Sequence, residues 1–97
     1  MNLDFTKITE FEWDSGNLGH IKKHNVVYEE CEQIFINHEH LLIFKDNKHS
    51  IYEERFKIFG KTTLGRNLAL VITLRRNRIR VVMARDQNKK ERGDLIK

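Results

Sequence analysis

Near His40 the spacing of apolar residues along this chain changes from a helical period to a period of two. The clearest stretch runs from Asn67 to Arg85, where two β-branched apolar runs flank Arg76-Asn77. That pattern predicts a β-hairpin with a two-residue turn, because Asn accepts a positive φ. Strict alternation then sets Leu74 opposite Ile79, Ile72 opposite Val81 and Leu70 opposite Met83 on one large apolar face. The other face carries Ala69, Val71, Thr73 and Arg75 on one arm, with Arg80, Val82 and Ala84 on the other. Thr73 is expected opposite Arg80. Arginine-bearing sheet faces suit phosphate, since a guanidinium fork matches two phosphate oxygens. The alternative is a solvated face whose arginine stems cover apolar surface. On this register Arg85 points away from Arg75 and Arg80, unless a strand end or a bulge turns it.

The other elements follow from the same patterns. Residues 1–10 read as a weakly structured lead, and Phe11-Glu12-Trp13 alternates as a short strand. Asp14 caps a helix running to about His24, with Leu18 and Ile21 inward, and Asn25 suits the left-handed residue that ends it. A second helix spans about Tyr28 to Ile36. Its apolar stripe is Val27, Cys31, Ile34 and Phe35, and its other face holds Glu29, Glu30 and Glu32. Strands are predicted over Leu41–Phe44 and Tyr52–Phe59, with a turn from Gly60 to Gly65. Asn88 and Glu91 have capping-box spacing and open a short basic C-terminal helix. The expected fold is a single α+β domain over residues 1–97. It has an antiparallel sheet of about four to five strands, two N-terminal helices and a short C-terminal helix.

Charge adds an asymmetry that the net value of +4 conceals. Residues 1–54 carry five Lys, no Arg and eleven acidic residues, a balance of −6. Residues 55–97 carry five Lys, eight Arg and three acidic residues, a balance of +10. A basic half of this kind implies a polyanionic partner, either nucleic acid or an acidic protein. Cys31 is the sole cysteine, so no internal disulfide forms, which agrees with a reducing cytoplasm. No apolar run approaches the length of a membrane span, and no secretory signal is visible. His38, His40 and His49 lack cysteine or acidic partners at ligand spacing, so no metal or other cofactor is expected. Gly-rich phosphate loops, nucleophile elbows and Cys/His pairs are absent.

Seven short motifs fall in one order: Phe11-x-Trp13-Asp14, Lys23-His24-x-Val26, Glu53-Glu54-Arg55-Phe56, Thr73-x-Arg75, Ile79-Arg80-Val81, Ala84-Arg85 and Lys90-Glu91-Arg92. Together they cover residues 11–92 and resemble the BrnT-type toxins. The resemblance implies a RelE-like ribonuclease-toxin fold and RNA cleavage that inhibits translation. It also implies a ribbon-helix-helix (BrnA-like) antitoxin partner, through which alone the complex reaches operator DNA. Two departures stand out. Met83 takes the place where the family usually has Ser or Thr before Ala-Arg, and the tyrosine usual soon after the Glu-Arg pair is missing.

Metal-free RNA cleavage uses the 2′-OH as nucleophile. It needs a base, an acid and cations around the phosphorane. The candidates are Arg75, Arg80 and Arg85 as cations, His24 as base or acid, and Glu54 as a base or as a structural partner of an arginine. Lys22, Lys23, Thr73, Lys89, Lys90 and Arg92 are candidates for contacting the RNA backbone. Glu91 reads as a capping partner and Trp13 as core. A rival reading is a catalytically inactive toxin homologue that only binds antitoxin as co-repressor of its own promoter. A sequence-reading nucleic-acid domain is disfavoured, because the basic stretches lack interleaved aromatics.

Overall fold

The β-branched runs on either side of Arg76-Asn77 do form a hairpin. Arg76 and Asn77 have φ of 51° and 64°, the double positive-φ turn that matches strand twist. The structure, a computed structural model, describes residues 10–37, 41–46 and 53–96, with side chains described as far as Gly93. In chain order the elements are β1 (Glu10–Phe11), α1 (Ser15–Lys22), α2 (Tyr28–Ile36), β2 (Leu42–Lys45), β3 (Arg55–Lys61), β4 (Asn67–Arg75), β5 (Arg78–Asp86) and α3 (Lys89–Ile96). The described strands form one sheet in the order β1-β5-β4-β3-β2. Residues 1–9 of the expected lead, the strand start at Tyr52, and His38, His40 and His49 lie outside the described residues, while Glu10, expected in the lead, belongs to β1.

The α+β class holds, but the sheet is mixed rather than antiparallel. The β1 strand pairs parallel with β5, Glu10 against Arg78 and Phe11 against Ile79. The two helices therefore follow a strand instead of opening the fold. Asp14 caps α1, accepting from the N–H groups of Gly16 and Asn17, while the Asn17 side chain accepts from the Asp14 N–H at 2.8 Å. Asn25 ends the segment with φ 58°. The Glu30 carboxylate caps α2 by accepting from the Val27 N–H at 3.1 Å. Asn88 and Glu91 form the reciprocal box of α3, each side chain 2.9 Å from the other's N–H.

One sheet face meets α1 and α2. Ile21, Val26, Cys31, Ile34 and Phe35 pack there against Phe56, Ile58, Leu68, Leu70, Ile72, Ile79, Val81 and Ala84. Each large apolar side chain fully buried here contributes about 1.5–3 kcal/mol. Gly60 belongs to β3 rather than to the turn, pairing with Leu68, and α2 crosses it closely. A Cβ at Gly60 would lie 2.3 Å from the Ile34 side chain. Val27, expected in the apolar stripe, stands at the helix cap and is exposed. Trp13 packs near Phe11 and Tyr28, and its Nε1 donates to Glu32 at 2.9 Å.

Register departs from strict alternation at one place. Thr73 opposes Arg80 and Ile72 opposes Val81 as expected, but then Val71 opposes Met83, Leu70 opposes Ala84 and Ala69 opposes Arg85. Val82 is the extra residue of a β-bulge. Beyond it every β5 side chain changes face. Met83 therefore leaves the core face, and Arg85 joins the face of Thr73 and Arg80.

Ile72 is fully buried, while Val71 is half-buried on the opposite face. Ile72→Asp should lose about 3–5 kcal/mol of stability in urea denaturation, the cost of an unpaired buried charge. Val71→Asp should cost no more than about 1 kcal/mol. Equal losses would show that both sheet faces are covered.

Candidate functional site

On the sheet face opposite the core, alternation along β3, β4 and β5 presents Arg55 and Lys57, then Val71, then Met83 and Arg85. These residues line a cavity of about 660 Å³, together with Phe44, Lys45 and Asp46 from the β2 edge, Val82 of the bulge, and His20 of α1. Its floor is apolar at Val71 and Met83 and its rim is cationic. Among the described residues, His20 is the one histidine lining it.

Arg85 is held by Glu91. Its two terminal nitrogens donate to the two carboxylate oxygens at 2.7 and 3.0 Å, a bidentate pair. Lys57 Nζ lies 3.9 Å from the same carboxylate. The Arg85 guanidinium holds the Glu91 carboxyl down to about 2, from an ordinary 4.5. Glu91 is thus both the cap of α3 and a counter-ion of the cavity rim.

The other predicted cations are gathered in a separate cluster. Arg80 donates to Asp14 at 2.7 Å and to Glu12 at 3.2 Å. Arg75 donates to Glu53 at 3.3 Å and lies 3.8 Å from Glu12. Arg55 reaches Glu53 at 3.9 Å. The bond from Arg80, with the Asn17 N–H, holds the Asp14 carboxyl down to about 2. Thr73 lies between Arg55 and Arg80 in the register and is fully buried, its hydroxyl without a partner among the described residues. The structure thus brings Arg75 and Arg80 beside Thr73, and Arg85 to the cavity.

The remaining predicted residues are dispersed. His24 sits in the turn after α1, and its backbone carbonyl accepts from Arg66 at 3.3 Å. Glu54 lies 3.8 Å from Lys45. Lys22 and Lys23 are exposed at the end of α1, and Lys89, Lys90 and Arg92 are exposed on α3. None of these lines the cavity. Sequence reasoning missed His20, Lys57 and Phe44. His20 lies four residues before His24, one helical turn away, and only the packing of α1 on β5 distinguishes the two. Burial raises the Cys31 thiol to about 12, so it packs as an inert apolar group. Among the described residues, no three His, Cys, Asp or Glu side chains cluster as a metal site would need.

A family model described as "Ribonuclease toxin, BrnT, of type II toxin-antitoxin system" matches residues 13–91. The chain belongs to the BrnT toxin family. No curated protein matches it. As a BrnT-family member it is a ribonuclease toxin of a type II toxin–antitoxin system, with an antitoxin partner and RNA as substrate. No described helix of this toxin is long and apolar enough to cross a membrane.

The Glu91–Arg85 pair sets an acid response. The folded-state pKa of Glu91 lies below its unfolded value, so the unfolded chain binds the extra proton first. The stability contributed by the pair is present above pH 4.5 and lost as pH falls through about 2. Glu91→Gln should lower the melting temperature at neutral pH and flatten its decline across that window. A variant with the same acid limb as the wild type would show that Glu91 does not carry it.

Proposed function

We propose that this chain is a RelE-like ribonuclease toxin that acts in the cytoplasm without a metal cofactor and stops translation by cutting RNA. In this reading its antitoxin is a ribbon-helix-helix protein, and operator DNA is bound only through that partner. The observation that carries the reading is the cavity in which the His20 imidazole of α1 and several cations meet, on the sheet face opposite the core. Imidazole is the side chain best suited to exchange a proton near neutral pH. His20 takes the proton of the 2′-OH, and O2′ bonds to phosphorus. The P–O5′ bond breaks, and O5′ leaves with a proton from the Lys57 ammonium. The products are a 2′,3′-cyclic phosphate and a 5′-OH. Arg85 and Arg55 offset the charge that builds on the phosphorane. Arg75 and Arg80 hold the Glu12, Asp14 and Glu53 carboxylates and brace the rim. The antitoxin neutralises the toxin by covering the cavity and offering carboxylates to the same cations.

One observation favours a second reading. Met83 lines the cavity where BrnT-type chains usually carry Ser or Thr. A thioether neither donates a hydrogen bond nor relays a proton there. In this reading the chain is an inactive homologue that serves as antitoxin-binding co-repressor.

Expression of the chain without antitoxin separates the two. The first reading expects growth arrest and RNA ends bearing cyclic phosphate. His20→Ala should slow cleavage about 10²- to 10⁴-fold, the usual value of a general base, and Arg85→Ala should also relieve the arrest. Folded, fully active His20→Ala protein would remove His20 from the mechanism. Absence of cleavage by the wild type, with antitoxin-dependent operator binding intact, would establish the co-repressor.

A further inference from the structure

We infer that Phe44 is a stacking platform for an unpaired base, so that the substrate class of this site is single-stranded RNA. The inference rests on reading the cavity as the RNA site. Phe44 lies on the edge strand β2, directly opposite Lys57 in the register. It is 49% exposed and lines the cavity. Its ring meets Phe59 edge-on, with centroids 5.7 Å apart, and Phe59 is buried. That contact fixes the Phe44 ring while leaving half of it open. Lys57 Nζ lies 5.7 Å from the Phe59 ring centroid, which keeps the ammonium beside the aromatic pair. Around Phe44 the cavity is lined by Lys45, Arg55, Lys57 and Arg85 with Asp46 beside them, and these cations have carboxylates in reach that a phosphate would displace: Glu54 by Lys45, Glu53 by Arg55, and Glu91 by both Lys57 and Arg85.

A large exposed aromatic within a cationic rim matches the two halves of a nucleotide. The base π-face lies on the ring and the phosphate on the cations. A duplex has no free base face to offer. Its bases are stacked on each other, and only its phosphates would reach the rim. The basic segments of the sequence lack interleaved aromatics, yet folding supplies one from β2, which lies outside them.

The test uses the full chain and a labelled 2′-O-methyl oligonucleotide, which has no 2′-OH to attack. Binding is read by fluorescence anisotropy across a salt series. The wild type should bind the single strand at least about 10-fold tighter than the same sequence annealed into a duplex. Phe44→Ala and Phe44→Leu should weaken single-strand binding about 5- to 100-fold, the range of one base stack. Both should leave the salt slope unchanged. Phe44→Trp should retain affinity, and thermal melts report that each variant is folded. Arg85→Ala should weaken binding and lower the salt slope by about one. Full affinity of Phe44→Leu alongside a weakened Arg85→Ala overturns stacking and leaves the phosphate site standing. Full affinity of Arg85→Ala overturns the reading of the cavity itself. Equal affinity for duplex and single strand overturns the substrate class. Loss of antitoxin binding by Phe44→Ala with RNA affinity unchanged makes Phe44 a protein contact and overturns the inference.

Discussion

The extra residue at Val82 decides which side chains of β5 pack and which remain available. Continued alternation after Val81 would turn Arg85 toward the helices, where an unpaired guanidinium costs several kcal/mol. With the bulge, Ala84 takes the buried position opposite Leu70, and Arg85 emerges opposite Ala69. Met83 moves with it, and the apolar floor of the cavity forms beside the cation at its rim. Bulges re-aim side chains in this way next to functional sites. Core and candidate site are thus two consequences of one register shift.

Charge pairing follows from the same arrangement. The acidic first half and basic second half of the chain meet across the sheet. Glu10 pairs with Arg78, Glu12 and Asp14 with Arg80, Glu53 with Arg75, and Glu30 with Arg66. Arg66 also reaches Asp86 and the carbonyls of His24 and Asn25, which ties the start of β4 to the turn between α1 and α2. A charge imbalance read along the sequence as a sign of a polyanionic partner is therefore largely internal. The pairing extends to the cavity rim, where Glu54 lies by Lys45, Glu53 by Arg55 and Glu91 by both Lys57 and Arg85, and Lys57, about half exposed, is the most open of these cations.

Much of the architecture was legible because it is encoded locally. The Arg76-Asn77 turn, the Asp14 cap, the left-handed Asn25, the span of α2 and the Asn88–Glu91 box each depend on a few neighbouring residues. The parallel β1–β5 pair was not legible, because it joins residues far apart and spans only two positions. The bulge did leave a trace. Arg80 and Arg85 are five apart, and an odd spacing cannot place both on one strand face without an inserted residue. The site was the least legible part. Choosing His20 over His24 depends on how α1 sits against β5, and bringing Phe44 beside Lys57 depends on the β2–β3 register. Neither is a property of any single segment.

Arg85 is a cation of the cavity that an ion pair already restrains. A phosphate reaching Arg85 meets a guanidinium already engaged by both oxygens of Glu91. Carboxylate and phosphate fit the same fork, so the arriving group exchanges one anion for another and does not meet a bare charge. The exchange removes the ion pair that ties α3 to β5, while Glu91 keeps the Asn88 N–H of its capping box. An eight-residue helix is marginal without such contacts. Occupancy of Arg85 and the docking of α3 are therefore linked by competition for one side chain. A contact that holds Glu91 on Arg85 would weaken phosphate binding there, and a phosphate bound there would loosen α3 by the same free energy.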